Sequence, residues 1–399
     1  MTVTEPLADQ VGGQNTQALF KEARHRRRRR YLWSAATVVL LVSALAAGLR
    51  AIGPGASSRQ APARPTVQSL TFGGRFIPHL LVSVAGTLWL AGSTQPNSDT
   101  SCAMAEIDPG TLRIERAYPL QACAPSLVAL GDSDVYLTYL TTAGHADGDL
   151  EVRIESFDTL TGVSRLMSPV DAILPERQSP MEFAYGQGSL WLHPWNRDLL
   201  ELSPSTGAMV RTIGGAPPVS TGNPEILAKG SGLWLGGGLP GPAVVDRLAQ
   251  GRKTPTQVYV GPPGNGNVLW FSAVGDQVWA DIASYPRNGA VVTRLVVFDT
   301  SGTEIREFPP EQLGDTPPVG SGRQLWSIGD SATYCTGGPL HLLSFDRAGT
   351  SVLSTTLPRP SVTCGNLGPA QLAVLGHNVF VLDPTYVAAP GGVLYRIKA

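Results

Sequence analysis

The chain has 399 residues, of which 42% are apolar, so a large core is possible and global disorder is excluded. Its 45 glycines and 33 prolines, with only 15% charged residues, are typical of short strands joined by tight turns and argue against a helical protein. Residues 1–50 carry eight basic and three acidic side chains, whereas the remainder carries 22 basic and 28 acidic ones. We therefore predict no nucleic-acid partner, because phosphate binding needs a basic face.

Residues 1–30 are polar and too short to fold alone, so we predict a flexible cytoplasmic tail. The next segment, Tyr31–Leu49, is nineteen residues long and uncharged. As a helix it would span about 28 Å, close to the hydrocarbon thickness of a bilayer. Arg26 to Arg30 directly precede it, and clustered arginine stays on the cytoplasmic side. We predict a transmembrane signal anchor over residues 31–50, with the rest of the chain outside the cell membrane.

A cleaved signal peptide is the alternative for this segment, because Ala44-Leu45-Ala46 could serve as a cleavage site. The apolar span and the region before it are both long for a signal peptide, which favours the anchor. Residues 51–65 are rich in Pro, Ala, Gly and Ser and are predicted to form a linker with a reach of about 20 Å. Either alternative exports residues 66–399.

Residues 66–399 contain seven repeats of an apolar strand, a small-residue turn and a strand centred on an aromatic residue. The repeats are separated by 47, 55, 43, 45, 55 and 46 residues, which is the period of a four-stranded propeller blade. The aromatic positions are Trp89, Tyr136, Trp191, Trp234, Trp279, Tyr334 and Phe380. A β-sandwich or two smaller β domains are the alternatives, but the regular spacing favours an all-β, seven-bladed propeller.

The second half of each repeat is a strand, a turn that begins with Asp or Ser and usually contains Gly, and another alternating strand. Each blade therefore has strands A, B, C and D. The last repeat ends after its third strand, Gly392–Ala399, while Thr66–Phe72 forms a strand without a blade of its own. We predict that this N-terminal strand completes blade seven and closes the ring, which removes an open sheet edge.

The recurring Pro, apolar strand, Gly, Leu-Trp-Leu and Ile-Asp-Pro-x-Thr pattern resembles the repeats of streptogramin-lyase-like and YVTN-type seven-bladed propellers. The resemblance covers about residues 66–399 and implies the fold. It does not imply one function, because such propellers include enzymes, sensors and binding modules. Lyases of this type use His and Glu with a metal on one propeller face, and no motif here corresponds residue by residue to that set.

The four cysteines, in an exported domain, favour disulfides over free thiols. In a propeller the B–C and D–A connections lie on one face, which we call the B–C/D–A face. Cys102 and Cys335 are assigned to B–C loops, and Cys123 and Cys364 to the D–A loops that follow them. We therefore predict the pairs Cys102–Cys123 and Cys335–Cys364, each worth roughly 3 kcal/mol.

The six histidines form no HxxxH, HxH or HxE unit, so we predict neither a metal site nor a cofactor. The chain also lacks a GxSxG element, a P-loop and a dinucleotide fingerprint. Aromatic residues beside carboxylates on the B–C/D–A face are suited to a sugar, peptide or protein ligand. The candidate binding residues are His79, His145, His193, Trp195, Asp281, Tyr285, Asp383 and Tyr386.

Two functions remain open from the sequence. The first is a binding or scaffold module for an extracytoplasmic ligand or protein partner. The second is an exported lyase or hydrolase with a His/carboxylate site on the B–C/D–A face; a quinone-dependent dehydrogenase fits poorly, since those propellers usually have eight repeats. The lack of a catalytic set favours the binding module. Packing of the aromatic residues and solvation of the histidines would explain the candidate residues without any ligand.

Overall fold

The computed structural model describes residues 65–72, 76–95, 101–121, 125, 127–142, 150–167, 173–174, 181–194, 198–217, 225–238, 240–286, 291–308, 317–329, 340–357, 370–383 and 392–398. These ranges contain no helix long and apolar enough to cross a membrane. The predicted transmembrane segment, Tyr31–Leu49, lies outside them. Pro65–Ser284 and Val292–Ala399 together form one compact unit, and Tyr285–Val291 lies outside that unit.

The described strands of the compact unit form seven antiparallel sheets that follow one another along the chain. This arrangement confirms the predicted all-β, seven-bladed propeller. In each blade the first strand packs against the first strand of a neighbouring blade, as β11 does with β6 and β15, so the first strands are the inner ones. The B–C/D–A face is the end at which each inner strand begins.

Blades 1 to 4 consist of the following strands, from inner to outer: β2 (Ile77–Val84), β3 (Thr87–Ser93), β4 (Cys102–Ile107) and β5 (Ile114–Pro119); β6 (Leu127–Leu130), β7 (Asp134–Thr142), β8 (Leu150–Asp158), β9 (Val163–Leu166) and β10 (Ile173–Leu174); β11 (Met181–Gly186), β12 (Ser189–Pro194), β13 (Leu199–Leu202) and β14 (Met209–Ile213); β15 (Glu225–Lys229), β16 (Gly232–Gly237), β17 (Val244–Ala249) and β18 (Thr256–Val260). In blade 2, β9 and β10 both pair with β8, so two short strands share the outer position.

Blades 5 to 7 consist of β19 (Asn265–Val274), β20 (Gln277–Tyr285), β21 (Val292–Asp299) and β22 (Glu304–Phe308); β23 (Val319–Ser321), β24 (Gln324–Gly329), β25 (Leu340–Asp346) and β26 (Ser351–Leu357); β27 (Gln371–Leu375), β28 (Asn378–Asp383), β29 (Val393–Lys398) and β1 (Thr66–Thr71). The N-terminal strand β1 pairs antiparallel with β29, from Thr66 opposite Lys398 to Thr71 opposite Val393. The predicted closure of the ring by this strand is therefore confirmed.

Seven clusters of buried apolar side chains hold the described blades together, one at each interface between neighbouring blades. The predicted aromatic residue of the second strand is buried in six blades and faces the next blade, as Trp191 does toward Leu233 of blade 4. Packing of this kind couples each blade to its neighbours and explains the sequence period.

The sequence prediction was wrong in blade 6. It placed the central aromatic residue at Tyr334, which lies outside the described residues, whereas the second strand is β24 and its buried aromatic is Trp326. The inner strand of this blade is only Val319–Ser321, and a two-residue turn at Gly322, with φ of 51°, joins it to β24. Because so short a strand has no apolar pattern, the run Gln324–Gly329 was mistaken for the inner strand.

Candidate functional site

Five of the predicted binding residues lie within described strands, and four of these belong to the compact unit. His79 is the third residue of β2, His193 the fifth of β12, Asp281 the fifth of β20 and Asp383 the last of β28. They belong to blades 1, 3, 5 and 7. His79 contributes its backbone to the fold, because its carbonyl accepts a hydrogen bond of 2.7 Å from Gln371 Nε2.

The other predicted residues contribute no described side chain to the compact unit. Tyr285 ends β20 and lies outside that unit, and His145, Trp195 and Tyr386 lie outside the described residues. Cys102 is the first residue of β4 rather than part of the B–C loop, and it is disulfide-bonded. Cys123, Cys335 and Cys364 lie outside the described residues, so both predicted pairings stay predictions.

His193 is a buried residue of β12. It is 1% exposed, and its Nδ1 has no hydrogen-bond partner within the described residues. Burial lowers the pKa of His193 to about 4, because the imidazolium ion would lose its hydration. The ring is therefore neutral at pH 7.

Glu182 lies directly opposite His193 in the antiparallel ladder between β11 and β12. Side chains at such opposed positions share one face of the sheet, with Cβ atoms about 5 Å apart. Trp191 lies two residues before His193 on that same face and packs against blade 4. Glu182 and His193 consequently point toward the interface between blades 3 and 4.

Glu225 begins the inner strand of blade 4, next to β11. Burial raises the pKa of Glu182 to about 8. Burial also raises the pKa of Glu225 well above its ordinary value, and the negative charge of Glu182 raises it further. No hydrogen bond or cation within the described residues offsets these effects.

The two glutamates are half-buried as whole residues. Each stands in the first two residues of an inner strand, at the B–C/D–A face. We call Glu182, His193 and Glu225 the acidic site.

Asp246 of β17 faces the same interface between blades 3 and 4, since it lies two residues before Leu248, which packs on Trp191. Burial raises its pKa to about 6, and Oδ1 has no hydrogen-bond partner within the described residues. Its charge does not appear among the causes that shift either glutamate. Asp246 therefore neighbours the acidic site without belonging to it.

Other acidic groups of the described blades have structural partners. The buried Glu155 accepts hydrogen bonds from Tyr139 Oη at 2.9 Å and from the backbone N of Gln121 at 2.7 Å, and it also accepts one from Ser164 Oγ. Asp299 accepts hydrogen bonds from Ser301 Oγ and from the backbone N–H groups of the hairpin turn that follows it, and these bonds lower its pKa. Such partners distinguish a structural carboxylate from the acidic site.

A metal is not supported in this part of the molecule. No group of three or more His, Cys, Asp or Glu side chains among the described residues could hold a metal ion.

Sequence reasoning found His193 but missed both glutamates. A signal was present, because Glu182 and Glu225 each follow shortly after a proline, Pro180 or Pro224, that precedes an inner strand. A charged residue at the start of a strand with buried neighbours is unusual. Without the ladder register, however, nothing in the sequence places either glutamate near His193.

The chain is similar to many solved structures, among them the following three. BamB from Moraxella catarrhalis is 14% identical, with 84% of this chain and 100% of that chain covered and a TM-score of 0.44. Kuenenia stuttgartiensis hydrazine synthase is 11% identical, with 79% of this chain and 96% of that chain covered and a TM-score of 0.48. U3-55K is 10% identical, with 84% of this chain and 98% of that chain covered and a TM-score of 0.51. At such identities the likeness shows the fold alone. No family model and no curated protein matches the chain.

Proposed function

We propose that the protein is a membrane-anchored, extracytoplasmic binding module whose B–C/D–A face takes a protein partner at the acidic site. One observation carries this proposal. Two half-buried glutamates begin neighbouring inner strands, and the buried imidazole of His193 lies opposite one of them in the ladder; Nδ1 of the ring and both carboxyl groups have no hydrogen-bond partner among the described residues. Polar groups that lack hydrogen-bond partners within the described fold can form those hydrogen bonds with a bound protein.

The anchored and exported arrangement is supported by the sequence. The uncharged Tyr31–Leu49 follows an arginine cluster, which favours a cytoplasmic N-terminus. The linker over residues 51–65 would hold the propeller about 20 Å or less from the membrane surface. A propeller so placed is suited to a partner in or near the same membrane.

An exported lyase or hydrolase is the second candidate, and one observation favours it. Glu182, with a pKa of about 8, would carry a proton at pH 7 and could donate it as a general acid. The same enzyme would need a base, and the lowered pKa of His193 makes it a poor one at neutral pH. We therefore place the binding module first.

Photo-crosslinking in intact cells tests the binding module. A benzoylphenylalanine at exposed Asp198, just after the B–C connection of blade 3, should capture a protein partner. The same amino acid at exposed Thr206, in the C–D turn at the opposite end of that blade, is the matched control and should capture little. Protease added to intact protoplasts should digest the propeller part of the adduct.

The adduct at position 198 should also weaken when Glu182 and Glu225 are both replaced by Ala. Equal capture at positions 198 and 206, or no capture at 198, would contradict a partner site on the B–C/D–A face. An adduct protected from external protease would contradict the extracytoplasmic placement.

A further inference from the structure

We propose that the acidic site binds an organic cation, an ammonium or guanidinium group, and releases protons to solvent as it does so. This inference rests on the proposed function and names the chemical group that the partner inserts. When the cation enters, a carboxyl O–H bond breaks, the proton leaves to water, and the carboxylate pairs with the positive charge. No other reactant is needed.

The site has three hydrogen-bond acceptors. Two are on the adjoining inner strands β11 and β15, and the third is on β12, which pairs with β11. Glu182 opposes His193 across the ladder, and Glu225 stands on the neighbouring inner strand, near enough for its pKa to respond to the charge of Glu182. The neutral ring of His193 can accept a hydrogen bond at Nδ1. A group with several N–H donors and one positive charge matches this set, and guanidinium and ammonium are such groups.

Few other charged groups face the site. The neighbouring inner strands β6 and β19 carry no titratable side chain, and neither does β16, which pairs with β15. Asp246 and Glu201 are further acidic groups on the faces where blades 3 and 4 meet, and Glu201 is ion-paired with Arg211. Among the described residues no lysine or arginine contributes to the pKa of Glu182 or Glu225. The site therefore lacks a cation of its own within the described part of the chain.

A neutral ligand would give the opposite response to pH. Sugars and amides would bind to the protonated carboxyl groups, so their affinity would fall as pH rises and the protons leave. A cation stabilises the carboxylates, so its affinity should rise with pH over the range in which the free site holds protons. The sign of the pH dependence therefore distinguishes the two ligand classes.

Calorimetric titration of the full-length protein in detergent tests the inference. The probes are butylguanidinium, a capped Gly-Arg-Gly peptide, butanol as the uncharged probe and Ca²⁺. We expect both guanidinium probes to bind, with affinity rising about tenfold per pH unit between pH 6 and pH 8 for each proton released. Titrations in buffers of different ionisation enthalpy should measure that release directly.

The two guanidinium probes separate the possible sources of the cation. Tighter binding of the peptide would indicate that the cation is an arginine side chain of a partner. Tighter binding of butylguanidinium would indicate a free small cation. Both outcomes support binding of an organic cation by the acidic site. Glu182→Gln and Glu225→Gln should each weaken binding at pH 8 by tenfold or more and reduce proton release. The matched control is Glu307→Gln, whose carboxylate forms an exposed ion pair with Arg294 at 2.6 Å, and it should bind as the wild type does.

Three results would overturn the inference. They are equal binding of butanol, tighter binding of Ca²⁺ than of either guanidinium probe, and affinity that falls as pH rises. Failure of both guanidinium probes at every pH, with the crosslink from position 198 intact, would refute the cation and leave the proposed partner site standing. Unfolding curves of each variant exclude loss of the fold as the cause of weak binding.

Discussion

Two regions of the ring carry different side chains at one equivalent ladder position. They are the seam, where blade 7 meets blade 1, and the acidic site of blades 3 and 4. In each case an inner-strand residue faces the second-strand residue two places beyond the buried aromatic. Gln371 holds this position opposite Leu382 in blade 7. Glu182 and Glu225 hold it in blades 3 and 4, opposite His193 and Gly236.

At the seam the side chain of Gln371 bridges to the next blade. Its Oε1 accepts a hydrogen bond of 2.6 Å from the backbone N of Leu81, and its Nε2 donates one of 2.7 Å to the carbonyl of His79. An amide can do both at once, whereas an ionised carboxylate can only accept. This ladder position therefore joins blades 7 and 1 where it holds Gln, whereas the Glu side chains at the same position have no hydrogen-bond partner within the described ranges.

The largest expected effect comes from making the acidic site resemble the seam by combining Glu182→Gln with Glu225→Gln. The folded-state pKa values of both acids are raised, that of Glu182 to about 8, so their stabilising contribution is complete below about pH 4.5 and is lost as pH rises through the raised values. A shift of one unit is about 1.4 kcal/mol, and after allowance for solvent access we expect the wild type to lose about 3 kcal/mol between pH 5 and pH 9.

Urea unfolding of the full-length protein at pH 5, 7 and 9 measures this loss. The double variant should show a much smaller change, while Glu307→Gln, in an exposed ion pair, should keep the wild-type slope. Parallel pH profiles for the wild type and the double variant would show that the acidic site does not control stability.

The reverse exchange at the seam, Gln371→Glu, should have the next largest effect. It removes the Nε2 donor and leaves the carbonyl of His79 without that bond, while the ionised carboxylate loses hydration. We expect a loss of about 2 kcal/mol at pH 8, from the lost hydrogen bond and the ionised carboxylate, and partial recovery at pH 5 when the acid is protonated. Gln257→Glu, on the exposed face of β18, is the matched control and should change stability little.

The pH profile separates two explanations of a weakened Gln371→Glu variant. Partial recovery at pH 5 would mean that the seam depends on the charge at this position. An equal loss at both pH values would instead mean that only the shape of the amide matters, and the comparison between Gln371 and the glutamates would then fail.

The fold could be predicted from the sequence because the same pattern of strands, turns and a central aromatic residue repeats along the chain. Each blade buries an aromatic residue in its second strand, and most have a turn that begins with Asp or Ser and contains Gly, so weak signals from the blades reinforce one another. The missing last strand and the surplus N-terminal strand predicted the pairing of β1 with β29, which the register confirms. The prediction failed in blade 6, where the inner strand is three residues long and has no apolar pattern.

The candidate site was predicted only in part, for a physical reason. His193 was selected because histidine near a predicted loop is suited to binding. Glu182 and Glu225 are 43 residues apart, and their proximity depends on two inner strands lying side by side in the ring. Packing between blades is long-range in sequence, so a single sequence does not reveal which acidic residues meet.

The smallest expected effect concerns the third member of the acidic site, through His193→Leu. The folded-state pKa of His193 is lowered to about 4, so the unfolded chain binds a proton more readily than the folded protein does. Stability is then lost as pH falls from about 6.5 toward 4, opposite in sign to the glutamates. Leucine removes this loss, and it also removes the unpartnered Nδ1 at nearly the same volume. We expect His193→Leu to be more stable than the wild type by about 1 kcal/mol at pH 5 and nearly equal to it at pH 7.

Urea unfolding at the two pH values measures the difference, with His341→Leu as the control, because His341 is on β25 and its Nδ1 lies 3.2 Å from Thr356 Oγ1. A variant that is less stable than the wild type at both pH values would show that the ring of His193 is held by packing that leucine cannot replace. In that case His193 would be a structural residue, and the acidic site would consist of the two glutamates alone.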